Sequence, residues 1–367
     1  MTSVHPWDDV RIYHKECRTL AAAGYDVYLI APKEVPEESL EERTGGVKVI
    51  GVRRRRGRIW RMSLTTLEVL KHAIRLRADI YHFHDPELIP VGVLLRLLGK
   101  RVIYDVHEDV PKQILSKTWI PSGFRGIVAK SAHLVEMVAA RLLSGFVAAT
   151  PSIAKRYPAP KTVVVHNFPL LREVAGELFK PYKERSNSVV YVGGISASRG
   201  AVEMVRAMEF LPTELSARLQ LAGTFESALL EDTLQDLPGW RHVEFLGWIG
   251  RDGVVRLLNE ARVGLVVLHP QPNYIDSIPV KLFEYLGAGI PVVASDFPLW
   301  RQIIGDCKCG LLVDPLNPRA IADAIAWLLK HPEEAEVMGS RGREAVLKRF
   351  NWEQEAEKLL RFYEGVL

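Results

Sequence analysis

The sequence predicts an α/β protein of two doubly wound parallel-sheet domains, with ligands expected beyond the carboxyl ends of the strands, in the cleft where two such sheets face each other. Three observations lead there. Short, β-branched apolar runs recur along the whole chain, stretches with helical spacing lie between them, and the series restarts after a polar break. A length of 367 residues suits two domains, and a chain 48% hydrophobic and 25% charged is neither disordered nor fibrous.

The first domain is expected over residues 1–170. Its strands read Tyr25 to Ala31, Val47 to Val52, Asp79 to His84, Arg101 to His107, Gly145 to Thr150 and Thr162 to Asn167. Helical spacing appears at Leu64, Leu67, Leu70, Lys71 and Ile74, then over Leu88 to Leu98 and Ile127 to Leu143. The start is irregular, because only Met1 to Val4 precede the turn at His5-Pro6. That is one short strand at most, where such a domain normally opens with a buried one, so either the strand is very short or residues precede it. Residues 171–187 are polar, contain Pro181 and read as a linker. The second domain, residues 188–351, carries strands at Ser188 to Gly194, Ala217 to Gly223, Val243 to Trp248, Val263 to Leu268, Pro291 to Asp296 and Gly310 to Asp314. The tail from Ile321 is helical, breaks at Phe350-Asn351-Trp352, and ends in an amphipathic helix over residues 352–367.

Charge divides unevenly. Residues 1–170 hold 26 Lys+Arg against 17 Asp+Glu, whereas residues 171–367 hold 22 against 27, so the halves are +9 and −5. The run Arg53-Arg54-Arg55-Arg56 with Arg58 and Arg61 concentrates the excess and suits either a solvated loop or an anionic membrane surface. Nucleic acid is not an expected partner, since no zinc-finger, RNP or helix-turn-helix pattern accompanies it. No apolar stretch approaches the roughly 20 residues that cross a bilayer, and MTSVHPWDD lacks the features of a signal peptide, so the expected compartment is the cytoplasm. Cys17, Cys307 and Cys309 read as reduced structural thiols.

Chemistry is expected at strand ends. The first strand of the second domain ends in Gly193-Gly194, and Arg199-Gly200 follow at the start of a helix, which suits an anion or merely a common turn with a solvated arginine. More specific is Asp276-Ser277-Ile278-Pro279-Val280-Lys281-Leu282-Phe283-Glu284, running into a Gly-Pro exit and a buried strand. Ser277 is expected to cap the helix, free N–H groups near Ile278 to Val280 to face an anion, Lys281 to add charge, and Glu284 to accept hydrogen bonds from a diol. The bland alternative is an amphipathic helix with its charges in water, which leaves the glycine-proline exit unexplained. A metal site at His82, His84 and Asp85 is not expected, because the two histidines share a strand face with no assured acidic ligand.

At this point the sequence resembles the GT-B glycosyltransferases, specifically the retaining glycosyltransferase family 4. The family's two carboxylates separated by seven residues read here as Asp276 and Glu284, the first a methylene shorter than the usual Glu. The resemblance implies that Glu284 binds the ribose of a nucleotide, that Asp276 meets the donor sugar, and that Arg199 contacts its diphosphate. The family's arginine after the first glycine is Gly194 here, and Lys281 is expected to replace it. The segment Phe245-Leu246-Gly247-Trp248-Ile249 resembles the one whose backbone meets the base. In the first domain, His5-Pro6-Trp7-Asp8-Asp9-Val10-Arg11-Ile12 resembles a polysaccharide-building subgroup, His82-Phe83-His84-Asp85-Pro86 and Asp105-Val106-His107-Glu108 match two further strand ends, and Val165-His166-Asn167-Phe168-Pro169 resembles the approach to the linker. The implied roles are His107 beside sugar and acceptor, and Asp9 and Arg11 toward the acceptor. His84 and Asp85 either bond the acceptor as well or only order a loop. The last helix is expected to cross back to the first domain.

The function implied is a metal-independent, retaining transfer of a hexose from a nucleotide sugar, UDP by family frequency, to a hydroxyl of a glycan or lipid-linked saccharide. No cofactor is expected beyond that donor. Peripheral docking of the basic half on the inner leaflet, through Arg53 to Arg56 and the helix from Gly123 to Leu143, and hinge closure on donor binding accompany it. Two alternatives are a non-hydrolysing nucleotide-sugar epimerase and a non-catalytic nucleotide-sugar sensor. A nicotinamide oxidoreductase is disfavoured, because no Gly-x-Gly-x-x-Gly turn follows a strand at the required distance from an acid.

Overall fold

Every expected strand forms in the computed structural model, which describes residues 1–33, 41–43, 45–55, 57–117, 120–174 and 180–366. The chain divides into two units, Met1–Asn167 with Trp352–Leu367, and Phe168–Asn351.

The first unit contains β1 (Val27–Lys33), β2 (Glu41–Arg43), β3 (Val47–Arg53), β4 (Ile80–Phe83), β5 (Arg101–Val106), β6 (Gly145–Ala148) and β7 (Thr162–Val164). They pair in the orders β1-β3-β2 and β4-β5-β6-β7. All pairs are parallel except β2 with β3. Strand β2 is not foreseen by the sequence pattern, because three residues reading Glu-Glu-Arg at a sheet edge carry no apolar alternation. Between β1 and β4 stand only Met1 to Ser3. The Met1 amino group donates to the His82 carbonyl at 2.6 Å, Thr2 N–H to Ile30 at 2.9 Å, and His84 N–H to Met1 at 3.2 Å. Asp85, only 2% exposed, fastens this segment by accepting from the Thr2 hydroxyl at 2.7 Å and from Ser3 N–H at 2.6 Å. A cavity of about 550 Å³ adjoins the segment, lined by Met1, Glu16, Ile30, Tyr81, His82 and Tyr363 among others.

The helices of this unit bury a different face from the one their apolar spacing suggests. Thr66–Leu76 turns Val69 and Ala73 inward and leaves Leu67 and Ile74 exposed. Ser122–Leu142 buries Ala129, Ala139 and Ala140, and exposes Phe124, Ile127 and Leu134 at about 60% each. Small residues allow close approach to the sheet, and the larger ones are left outside. The last helix, Trp352–Val366, belongs to this unit: Trp352 Nε1 donates to Thr19 Oγ1 at 2.9 Å, and Tyr363 Oη lies 2.6 Å from His82 Nδ1.

In the second unit, β8 (Ser188–Val192), β9 (Arg218–Ala222), β10 (Val243–Gly247), β11 (Val263–Val266), β12 (Val292–Ser295) and β13 (Gly310–Val313) form one parallel sheet in the order β10-β9-β8-β11-β12-β13. Period-two alternation splits its residues between two cores. Val189, Tyr191, Leu219 and Leu265 pack with Met204, Val205 and Ile325, whereas Val190, Val266 and Val292 pack with Leu282, Phe283 and Trp300. The chain reverses direction of winding between β8 and β11, and the carboxyl ends of those two strands are where an open sheet offers a binding crevice.

The linker expected at residues 171–187 is instead largely part of this unit. Leu171–Val174 is helical, Tyr182 is buried, and Arg185 donates to the carbonyls of Ala261 at 3.2 Å and Ala288 at 3.0 Å. Polar composition suggests a free connection, but here the polar groups close off backbone carbonyls. Residues 175–179 of that segment lie outside the described residues.

Candidate active site

Two basic side chains, Arg199 and Lys281, come together at the end of β8. Gly193 has φ +127°, and a Cβ there would sit 3.1 Å from Lys281 Nζ and 3.9 Å from Arg199 Nη1. A side chain at Gly194 would meet Arg199 Nη1 at 3.0 Å. The two cations thus converge on a bare backbone turn. Arg199 reaches it because Gly200, φ +76°, lets the following helix start against the Val267 carbonyl of β11's end, where any Cβ would lie 2.2 Å away. Arg199 donates to the Gly194 carbonyl at 3.4 Å and lies by the Tyr191 and Tyr274 hydroxyls. Lys281 Nζ is shielded from solvent, stands 3.7 Å from the centre of the Tyr191 ring, and has no hydrogen-bond partner among the described residues. Burial, and then the Arg199 charge, pull its pKa well below the ordinary lysine value. Two basic groups at a glycine turn, with no carboxylate among the described residues hydrogen-bonded to either and only the Glu284 charge acting on Lys281 from nearby, suit an anion with several oxygens.

The expected helix start takes another form. Ser277 donates its hydroxyl to the Tyr274 carbonyl at 2.8 Å, so it closes the preceding short helix, Pro272–Ile275. It does not cap the next one: Pro279 occupies that position, before Val280–Gly287, and no side chain caps it. Asp276 follows the short helix, Ile278 packs partly buried against the second core, and Val280 is partly buried. Glu284 lies three residues beyond Lys281, and its Oε1 accepts from Arg251 Nη1 at 3.2 Å. Trp248, at the end of edge strand β10, is 77% exposed.

The first unit holds a second polar cluster, at the ends of β4 and β5. Asp105 is fully buried and takes Arg11 Nε and Nη2 on its two oxygens at 3.1 and 3.0 Å. Arg11 Nε also lies 3.0 Å from Glu16 Oε1. Burial pushes Glu16 well above the usual carboxylate range; it would do the same to Asp105, but Arg11 and His107 outweigh it and hold Asp105 ionised. His107 Nε2 stands 3.3 Å from Asp105 Oδ2 and 3.1 Å from His84 Nδ1, with its side chain about one-fifth exposed. His84 is buried, which pulls its pKa down to about 3.

Three residues expected toward an acceptor, Asp85 with the alternative that it orders a loop, have partners within the protein. Arg11 is 3% exposed and engaged by Asp105 and Glu16. Asp85 fastens the N-terminal segment. Asp9 caps the helical stretch Val10–Cys17, accepting from Arg11 N–H at 2.9 Å and Ile12 N–H at 3.0 Å. Burial works against its charge, but hydrogen bonds from His5 and Ile12 hold Asp9 below the usual range. The acidic ligand that the sequence does not assure for His82 and His84 is present beside them. Glu16, His82, His84 and Asp105 each offer a ligand-type atom within 4.8 Å of the others, with Arg11 already against both carboxylates. Sequence reading assigns no role to Glu16, to Asp105 or to His5, whose ring stacks 5.9 Å from that of His107. Of these, only Asp105 leaves a signal, two residues before His107 and therefore on the same strand face.

Lys281 generates a stability prediction. Because its pKa is lowered on folding, its charge costs stability at neutral pH, and the cost fades as pH rises toward the ordinary lysine value. Lys281→Met should therefore stabilise the ligand-free protein by about 1 kcal/mol or more in urea unfolding. Inorganic pyrophosphate should raise the midpoint of the wild type and much less that of the variant. A variant less stable than the wild type would contradict this account of Lys281.

Residues 11–167 match the family described as "Glycosyl transferase 4-like domain", and residues 174–345 match "Glycosyl transferases group 1". The phosphatidyl-myo-inositol mannosyltransferase of Mycobacterium leprae is 25% identical over 304 residues, which are 78% of this chain and 74% of that one. The MMP alpha-(1->4)-mannosyltransferase of Mycolicibacterium hassiacum is 22% identical over 316 residues, 79% of this chain and 72% of its own. Among solved structures, sucrose-phosphate synthase from Thermosynechococcus elongatus superposes with a TM-score of 0.75 at 21% identity, covering 95% of this chain and 91% of that one. Anabaena HepE in complex with UDP superposes at 0.71 and 14% identity, covering 95% of each. The chain belongs to the group 1 glycosyltransferases, family 4, with the two Rossmann-like domains of the GT-B fold, and transfers a sugar from a nucleotide sugar.

Proposed function

We propose that the protein is a retaining, metal-independent hexosyltransferase that uses a UDP-sugar and a hydroxyl acceptor on a glycan or lipid-linked saccharide, in the assembly of a polysaccharide or glycoconjugate. The observation that carries this reading is the convergence of Arg199 and Lys281 on the Gly193-Gly194 turn. Cleavage of the bond between the anomeric carbon and the diphosphate leaves charge on the departing oxygens. Two fixed cations, with N–H groups from the start of Val280–Gly287, stabilise that charge without rearrangement. The acceptor oxygen forms its new bond on the face the diphosphate leaves, and its proton passes to a departing phosphate oxygen. Glu284 holds the ribose, Asp276 meets the sugar, and the segment around Trp248 meets the base. In the first unit, His107 meets the acceptor and the sugar, with Asp105 behind it fixing the ring. UDP is preferred because the solved HepE complexes of the same fold hold UDP and UDP-glucose.

The proposal includes docking on an anionic membrane leaflet on the cytoplasmic side. No helix among the described residues is long and apolar enough to cross a membrane. On Ser122–Leu142, however, Phe124, Ile127, Leu134 and Val138 stand three, seven and four residues apart, which is two helical turns in the middle step, along one exposed stripe with exposed Lys130 and Arg141 nearby. Ile59 and Trp60 add exposed apolar surface after the arginine run, of which Arg56 lies outside the described residues. Such a face is costly in water and suits a bilayer interface.

Arg199→Ala should lower turnover by about 10²–10³, measured as nucleotide release in the presence of acceptor, and normal turnover would remove Arg199 from this role. Flotation with vesicles should be strong when they contain phosphatidylglycerol, weak with neutral lipid alone, and reduced in Ile127→Glu. Flotation indifferent to anionic lipid would remove the membrane from the proposal.

A further inference from the structure

Glu284, the carboxylate read above as the ribose contact, already has a partner in the protein. Arg251 opens the helix Arg251–Glu260, four residues beyond the end of β10. One of its amino groups donates to Glu284 Oε1 at 3.2 Å, and the other donates to Glu173 of the short helix Leu171–Val174. Both carboxylates are largely shielded, with side chains 16% and 17% exposed, whereas Arg251 is 42% exposed. Val174, Val254, Leu258 and Ala288 line the small apolar pocket they share.

One cation between two carboxylates leaves the group with a net negative charge. Arg251 occupies one side of Glu284 Oε1 only, and an ionised carboxylate has acceptor positions to spare. A half-exposed ion pair adds little to stability, so the group is poorly explained as a staple of the fold. What it does is orient. A glutamate on a helix surface otherwise samples several rotamers, and a planar guanidinium braced from behind holds it in one. Bidentate recognition of a cis-diol needs such a fixed acceptor, since each hydroxyl must find its own oxygen.

We propose that Arg251, braced by Glu173, is the positioning residue of the nucleotide's ribose subsite: it holds the Glu284 carboxylate so that both ribose hydroxyls are accepted, and it thereby makes the protein select ribonucleotides over 2′-deoxyribonucleotides. The inference rests on reading the second unit as the nucleotide-sugar site. Arg251 acts through Glu284 and takes no part in bond making.

The test is calorimetric titration of the full chain with UDP, 2′-deoxy-UDP and inorganic pyrophosphate, for the wild type, Arg251→Ala, Arg251→Lys and Glu173→Gln. The wild type is expected to bind UDP at least tenfold more tightly than the 2′-deoxy compound, the effect of one hydrogen bond to a charged group. Arg251→Ala should weaken UDP about tenfold, bring the ratio of the two affinities close to one, and leave pyrophosphate binding unchanged. Glu173→Gln, which keeps the arginine but loosens its brace, should move the ratio in the same direction by less, and Arg251→Lys should restore part of it. An Arg251→Ala protein that discriminates as well as the wild type, or binds UDP more tightly, overturns the proposal and leaves the nucleotide site standing. A wild type that binds no nucleotide overturns the site and the proposal together.

Discussion

Two positive charges held against a glycine turn, with no carboxylate among the described residues hydrogen-bonded to either, are the constraint on which the second unit depends. Burying a cation is tolerated in a folded protein only if something compensates for the lost water. For Lys281 the compensation in the free protein is the face of Tyr191, which is weaker than an ion pair. The surrounding features follow from keeping that arrangement open. Gly193 and Gly194 carry no side chain to fill the space between the cations, and Gly200 lets the helix behind Arg199 approach the end of β11. The crossing of winding direction between β8 and β11 brings these pieces to the carboxyl ends of the two central strands. An incomplete charge balance in an otherwise well-packed unit is what a site for a diphosphate requires.

The polar cluster of the first unit follows the opposite rule. Arg11, Asp105 and Glu16 are nearly as buried as any residues in the core, yet Arg11 and Asp105 are paired, and Glu16, its charge disfavoured by burial, lies against the same guanidinium. Removing one member would leave a buried charge without its partner, so the cluster is structural before it is anything else. It presents the His107 ring outward, with the inner nitrogen of that ring fixed by Asp105 and His84. Buried structure here serves to aim one partly exposed imidazole.

Much of this is legible in the sequence, and the failures have physical reasons. Strand positions are readable because β-branched runs closed by turns have few alternatives. That Arg199 and Lys281 stand close to the Gly193-Gly194 turn is readable because charged residues at the ends of buried strands and in the first turns of helices have few places to go. Asp9 and Arg11 read as binding groups by resemblance, and Asp85 as either that or a residue that orders a loop; the contacts the sequence does not foretell are the cap made by Asp9, the buried ion pair of Arg11 and the hold of Asp85 on Thr2 and Ser3. Sequence cannot distinguish a polar side chain turned inward from one turned outward when both sit at a strand end. The same blindness affects Leu67, Ile127 and Leu134, whose helical spacing is real but whose face is the exposed one. Glu16 and Arg251 escape sequence reading because the groups that give them meaning, Asp105 for the first and Glu284 for the second, lie far off in the chain, even though Arg11 stands near Glu16 in sequence.

If Lys281 is buried beside Arg199 with no ion-pair partner, then an arriving diphosphate favours the charged form of Lys281 and raises its pKa. Isothermal titration with UDP at about pH 9, below the ordinary lysine value of about 10.4, in buffers of different ionisation enthalpy counts the protons exchanged. In the free protein burial and Arg199 lower the Lys281 pKa, and phosphate oxygens beside it raise the pKa again, so binding is expected to take up protons, with the uptake absent in Lys281→Met. Binding heats that do not depend on the buffer, or proton release, would contradict the account.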